Sequence, residues 1–309
     1  MRNHGIHHVT AIAGPARRNL DFYTRVLGLR LVKKTVNFDD PGTYHLYFGD
    51  AVGHPGSILT FFPWEHVAPG RTGIGSTMET AFRVPEGSLG YWAHRFIEQG
   101  VEHGRPEKRF GQSVLTFKDP HGTSLSLVGI SNAGTGTAWT VDGIPAEQAI
   151  RGLEGVTLLV DNGEKTGAIL TDVFGFAETD RDGSLVRYKS NAVLGSTVDI
   201  RSAGGFLPGR TGGGSVHHVA FRASDDADQA EMVRKLAENH GLHTTEQKDR
   251  NYFRSVYFRE PGGILFEIAT DQPGFAVDEP QENLGAELKL PDFLEARRSD
   301  IEAHLPELA

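Results

Sequence analysis

The sequence contains no cysteine. That excludes disulfides, thiolate-held metals and a cysteine nucleophile, and it leaves imidazole and carboxylate as the donors for any metal. No run of about 18 apolar residues occurs, and the opening Met1-Arg2-Asn3-His4-Gly5 has no apolar stretch of signal-peptide length. The expectation is a cytoplasmic protein with no membrane partner. An excess of positive charge is also missing: 31 Lys and Arg stand against 40 Asp and Glu, for a formal net charge of −9. This disfavours nucleic acid as a partner and favours small molecules.

What is present is a chain of 309 residues, enough for two packed units without a covalent staple, with 38 glycines that imply many turns between short elements. The chain repeats itself. Pro69 to Val84 reads PGRTGIGSTMETAFRV and Pro208 to Ala223 reads PGRTGGGSVHHVAFRA, ten of sixteen positions being identical at an offset of 139. Each half divides again. Four helical patterns, Pro15 to Leu27, Ser88 to Gln99, Glu164 to Phe174 and Asp225 to His240, each end on a glycine: Gly28, Gly100, Gly175 and Gly241. Alternating strands precede them at Ile6 to Ala13, Met78 to Val84, Val156 to Val160 and His217 to Ala223, and further β-like runs follow. The unit is therefore a strand, a helix and about three strands. Residues 1–130 form the N-terminal half (units 1 and 2) and 151–271 the C-terminal half (units 3 and 4). A linker at 131–150, Gly/Thr-rich over Ser131 to Gly143, joins them, and the tail 272–309 reads as a short amphipathic helix.

A βαβββ unit repeated four times resembles the vicinal oxygen chelate superfamily, which includes glyoxalase I and the extradiol dioxygenases. Within it, GIHHVTAIAG, NLDFYTRVLGLRLVKKTVNFDDP, SVHHVAF, DRNYFRSVYFREPGGILFEIATDQPGFAVDE and LKLPDFLE are similar to the ring-cleaving dioxygenases that act on para-hydroquinones. The resemblance implies an α+β fold of two glyoxalase-like half-barrels. It also implies an Fe(II) centre whose ligands Mn(II) could share, and a small aromatic substrate consumed with O2.

Aligning the units sets His8, Glu79, Gly155 and His218 at equivalent places on the first strands, and Glu267 opposite Ser126 on the last. Two His and one carboxylate, with no thiolate available, form the facial triad of non-haem Fe(II) oxygenases. Either His of each pair could be the ligand on composition alone. Strand alternation puts His217 with Val219 and Phe221 toward the core, and His218 with Ala220 toward a cavity. The same parity sets His8 beside Thr10, and the resemblance also selects the second His. His7 and His217 become neighbours that either hydrogen-bond the site or serve structure alone. The resemblance further implies that Arg250 binds a substrate oxygen and that Tyr257 steers a proton, with Thr10 a weaker candidate on the same grounds.

His45, His54, His94 and His121 show no ligand-like grouping, and Gly212-Gly213-Gly214 lacks the Lys-Ser/Thr of a phosphate loop. Two other readings stay open: a glyoxalase-like lyase or isomerase, disfavoured because Gly155 and Ser126 supply no second carboxylate, and a non-catalytic binding protein of the same fold. Oligomeric state, homo-oligomers included, is left open. If one metal joins residues 8, 218 and 267, unit 1 must pair with unit 4 and unit 2 with unit 3.

Overall fold

The computed structural model describes residues 4–131, 133 and 139–308. Residues 132 and 134–138 of the Gly/Thr-rich stretch expected as a linker lie outside the described residues. Each unit supplies four strands. Unit 1 holds β1 (Ile6–Ala13), β2 (Arg30–Asn37), β3 (Asp40–Gly49) and β4 (Ile58–Pro63). Unit 2 holds β5 (Ser76–Pro85), β6 (Glu107–Arg109), β7 (Gln112–Lys118) and β8 (Ser124–Ile130). Unit 3 holds β9 (Leu153–Val160), β10 (Ala177–Asp182), β11 (Leu185–Lys189) and β12 (Thr197–Ser202). Unit 4 holds β13 (Val216–Ala223), β14 (Lys248–Asp249), β15 (Phe253–Arg259) and β16 (Leu265–Pro273).

Two eight-stranded sheets result, ordered β14-β15-β16-β13-β1-β4-β3-β2 and β10-β11-β12-β9-β5-β8-β7-β6. Unit 1 thus pairs with unit 4 and unit 2 with unit 3, through antiparallel seams between β1 and β13 and between β5 and β9. Each half of the sequence gives one unit to each sheet.

The unit helices are α1 (Ala16–Asp21, continued by a π turn over Phe22–Val26), α2 (Leu89–Glu98), α3 (Glu164–Asp172) and α4 (Asp226–His240). Gly28, Gly100, Gly175 and Gly241 follow them at φ 71, 66, 69 and 64°, a left-handed backbone that a side chain would strain. Asp225 caps α4 by accepting from the Asp228 amide at 2.8 Å. The helices cover the sheets through one core that includes Tyr23, Trp92, Phe96, Phe174 and Phe221. Phe174 stacks on Phe221 at 4.1 Å, and burying each such ring contributes roughly 1.5–3 kcal/mol.

The strongest stretch of the repeat lies where the chain crosses between sheets. Arg71 and Arg210 exchange backbone hydrogen bonds at 2.8 Å in both directions. A Cβ on Gly73 would sit 2.4 Å from the Leu207 carbonyl oxygen, and one on Gly212 would sit 2.5 Å from that of Ala68. Two backbones pass with no room for side chains, so PGRTG is duplicated for a structural reason.

The tail departs from the single helix expected. Pro280 and Pro291 divide it into two 3-10 turns (Phe275–Val277, Gln281–Asn283) and two short helices, α5 (Asp292–Glu295) and α6 (Arg298–His304). It covers edge strand β2: the Lys289 amide donates to the Lys34 carbonyl at 2.9 Å, and fully buried Lys33 is clamped by Asp278, at 2.5 Å, and by Glu279.

Candidate metal centre

The site is built on three adjacent strands, β16, β13 and β1. Across the seam His8 faces Ala220 and Thr10 faces His218, while Ala220 lies level with Glu267 on β16. The seam register slips by one residue at His7 and again at His217, so each of these occupies a β-bulge. Sheet two repeats the slips at Met78 and Glu154. The bulges correct the simple alternation expected for His217: Val219 and Phe221 enter the core, but His217 turns to the cavity and solvent. Two consecutive imidazoles can then lie side by side. Nδ1 of His7 is 2.9 Å from Nδ1 of His8, and Nδ1 of His217 is 2.8 Å from Nδ1 of His218.

The structure brings His8, His218 and Glu267 together, all buried. Glu267 Oε2 lies 2.9 Å from His218 Nε2 and 3.4 Å from His8 Nε2, and the two Nε2 atoms are 3.4 Å apart. Bonds of about 2.1 Å to one cation would separate ligands at right angles by about 3.0 Å, close to these spacings. The other carboxylate oxygen accepts from Ser255 Oγ, whereas Oε2, although buried, has no hydrogen-bonding partner of acceptable geometry. An orphaned carboxylate oxygen facing two imidazole nitrogens fits a cation. With the Nδ1 protons on His8 and His218, donated to His7 and His217, both Nε2 lone pairs point at the same place, the tautomer a metal selects.

The electrostatics agree. Burial alone would raise the Glu267 carboxyl, but attraction to His8 and His218 outweighs it and holds the group well below the usual carboxylate range. Burial lowers His218 despite Glu267, and burial with the neighbouring ring lowers His7 well below its usual value and His217 to about 4. Burial thus favours the neutral form of His7, His217 and His218, the form that ligates or supports a metal, while Glu267 is held toward the ionised one.

A cavity of about 370 Å³ opens over these residues, walled by Phe38, Tyr47, Phe62, Trp64 and Phe253. Arg250 and Tyr257 also line it. The β14–β15 turn, with Asn251 at φ 69°, carries Arg250, whose Nε donates to the Tyr257 hydroxyl at 3.2 Å and whose Nη2 reaches Asp39 at 2.9 Å. Burial works against the Arg250 charge, but Tyr257 and Asp39 hold its pKa above the ordinary value. Burial, then Glu267, raises the Tyr257 phenol, which stays protonated.

Thr10 is fully buried behind the cavity wall, where it accepts from Thr60 Oγ1 at 2.9 Å. Thr60 in turn lies 2.8 Å from His45 Nε2, and His45 Nδ1 lies 2.9 Å from the Tyr47 hydroxyl. His45 lines the cavity between Tyr47 and Phe62, so setting it aside on sequence missed a site residue. No repeat partner marked it; only the register of β3 and β4 places it there.

The register also corrects the argument from Gly155 and Ser126, which belong to the other sheet. Thr10 pairs with Thr60 as Ala220 pairs with Glu267, so Thr60 holds the place of a second carboxylate in this cavity. In sheet two the equivalent places are Glu79, Gly155, Ser126 and Asp199. Asp199 is a carboxylate the sequence reading overlooked. Arg187 grips it at 2.8 and 2.7 Å, Arg109 grips Glu79 at 2.6 and 3.3 Å, and the space left is about 20 Å³. Guanidinium groups fill the duplicate cavity.

Residues 5–127 and 152–268 match the Glyoxalase/Bleomycin resistance protein/Dioxygenase superfamily. The chain belongs to this superfamily. Among its relatives, the provisionally named ring-cleaving dioxygenase MhqO of Bacillus subtilis (strain 168) is 46% identical over 97% of this chain and 95% of its own length. The chlorohydroquinone/hydroquinone 1,2-dioxygenase of Sphingobium indicum is 32% identical over 97% and 95%. A crystal structure of a provisionally named dioxygenase from Bacillus subtilis superposes with a TM-score of 0.95 at 45% identity, covering 100% of this chain and 99% of that one. Glyoxalase I of Zea mays shares the superfamily fold, with a TM-score of 0.65 at 15% identity over 87% and 92%.

Proposed function

We propose that the protein is an Fe(II)-dependent ring-cleaving dioxygenase of the extradiol type that opens a substituted para-hydroquinone, or a related catechol, with O2. The observation that carries this reading is the convergence of His8, His218 and Glu267 on an aromatic-walled cavity with room for one ring. The names of the relatives support the substrate class. His8, His218 and Glu267 would hold Fe(II), or Mn(II) on the same donors, which supplies open positions for a phenolate oxygen and O2 and electrons for O2.

Around that centre the side chains divide the remaining work. Arg250, charged and already in contact with a phenol oxygen on Tyr257, is suited to fix a substrate phenolate. Tyr257, kept protonated, can hand one proton to the bound ring or hold it in place. His7 and His217 orient the ligand imidazoles. Thr10 acts only through Thr60 and His45. The aromatic wall stacks the ring and keeps water out. Thr60 in place of a second carboxylate favours an oxygenase with open positions over a lyase with a fuller ligand set.

Anaerobic loading with Fe(II), followed by oxygen-electrode measurements with a panel of hydroquinones and catechols, tests the reading. Uptake with at least one para-hydroquinone supports it. No uptake by Fe-loaded protein with any of them removes it.

A further inference from the structure

A second pocket, of about 330 Å³, adjoins the catalytic cavity and shares His217 and Leu265 with it. Arg71, Arg210 and Arg259 line it, and among the described residues no acidic side chain does. The partners they have are backbone carbonyls: Arg71 Nη2 donates to Pro208 at 3.0 Å, Arg210 Nη2 to Pro69 at 3.0 Å and Arg259 Nη1 to Gly263 at 2.9 Å. Each uses few of its five donors. Elsewhere in this acidic chain Arg109, Arg187, Arg222 and Arg250 are bound to carboxylates. On the same wall, Thr77 is only 7% exposed and its Oγ1 is buried without a hydrogen-bond partner. An unsatisfied buried hydroxyl is costly unless something in the pocket completes it.

The reading of the catalytic cavity as a ring-cleaving site says what that something is, and the inference rests on that reading. Cleavage breaks the bond between a hydroxyl-bearing ring carbon and its neighbour. One atom of O2 goes to each carbon, giving a carboxyl group and an aldehyde, and no other oxidant or reductant is needed. A neutral substrate becomes an anion, because a carboxyl group loses its proton above about pH 4. We propose that the arginine pocket is a carboxylate subsite that draws the ring-opened product from the catalytic cavity past His217 and Leu265. Guanidinium groups bind carboxylates in paired hydrogen bonds, and the Thr77 hydroxyl adds another.

The probe is cis,cis-muconate, a stable open-chain diene dicarboxylate, titrated calorimetrically into metal-loaded enzyme. Its Kd should rise about tenfold or more in Arg259→Gln, through loss of a charge-assisted bond. In Thr77→Val it should rise roughly threefold to tenfold, with the thermal midpoint no lower than that of wild type. The midpoint holds because that hydroxyl has no partner in the protein. Should Arg259→Gln fail to fold, Thr77→Val decides alone. His8→Ala should bind muconate within about twofold of wild type. Absent binding, a Kd unchanged in both pocket variants, or binding lost in His8→Ala would overturn the subsite. Oxygen uptake on the same preparations separates the two claims. Uptake without pocket-dependent muconate binding removes the subsite alone, whereas pocket-dependent binding without uptake removes the ring-cleaving reading and leaves an anion site.

Discussion

Replacing His7 with Phe should weaken metal binding without touching a ligand. The imidazole of His7 sits on a bulge, packs edge to face on His8 and meets it through the 2.9 Å Nδ1 contact. Phe keeps an aromatic ring in edge contact with Phe253, whose ring centre lies 5.2 Å from that of His7, but it cannot accept the His8 proton. His7 is 3% exposed, so water does not take its place. The His8 Nδ1–H is then left buried without an acceptor, at about 1–3 kcal/mol, or it moves to Nε2 and blocks the metal. Loss of such an orienting partner lowers metal affinity by about 10–100-fold, which is about 1.4–2.7 kcal/mol. His217→Phe breaks the matching 2.8 Å contact, but His217 reaches solvent, so water can replace it and the loss should fall at the low end. His7→Gln, with an amide oxygen to accept the proton, should recover most of the affinity. Competition against a fluorescent chelator, with Mn(II) as the oxidation-stable probe, measures all three. An affinity within twofold of wild type in His7→Phe, or a larger loss in His217→Phe, would refute the argument.

Tyr257→Phe and Arg250→Gln should keep their metal, measured by elemental analysis, and lose about 10²-fold or more in turnover as a proton donor or an oxygen anchor is removed. Equal turnover to wild type would end their assignment. Lys33→Met removes the cation from buried Glu279 and from half-buried Asp278, at about 3–5 kcal/mol, and should lower the thermal midpoint by about 10 °C; an unchanged midpoint contradicts the clamp. Gly73→Ala puts a Cβ 2.4 Å from the Leu207 oxygen at the crossover and should cost about 1–3 kcal/mol in denaturant melts. Gly87→Ala, with nothing within 4 Å, serves as the neutral control.

Periodicity carried much of the architecture into the sequence. Four helices ending on glycine and a repeated first strand are local signals, and the need for one triad forced unit 1 against unit 4. Strands without alternation stayed hidden. β10, Ala177–Asp182, is exposed throughout, so no buried face disciplines its sequence. β12 does alternate, but Asp199 sits between buried Val198 and Ile200, where a sequence reading takes it for the solvent side, and so that carboxylate went unnoticed. The bulges at His7 and His217 are equally silent, because a register slip belongs to the pair of strands and not to either one. His45 and Thr60 reach the site only through the pairing of β3 with β4 and β4 with β1. The tail misled because its apolar residues Leu284, Leu290, Leu294 and Ile301 contact two separate clusters, and so do not mark a single helical face.

In the function proposed for this chain, His8, His218 and Glu267 would hold an iron that supports insertion of both atoms of O2 into one ring. Mass spectrometry of the product formed by Fe-loaded enzyme from a para-hydroquinone under ¹⁸O2 addresses it most directly. Trapped before exchange with water, the ring-opened product should carry both labelled atoms, and Glu267→Ala should form none. An unlabelled quinone, a product carrying a single label, or full activity in Glu267→Ala would contradict it.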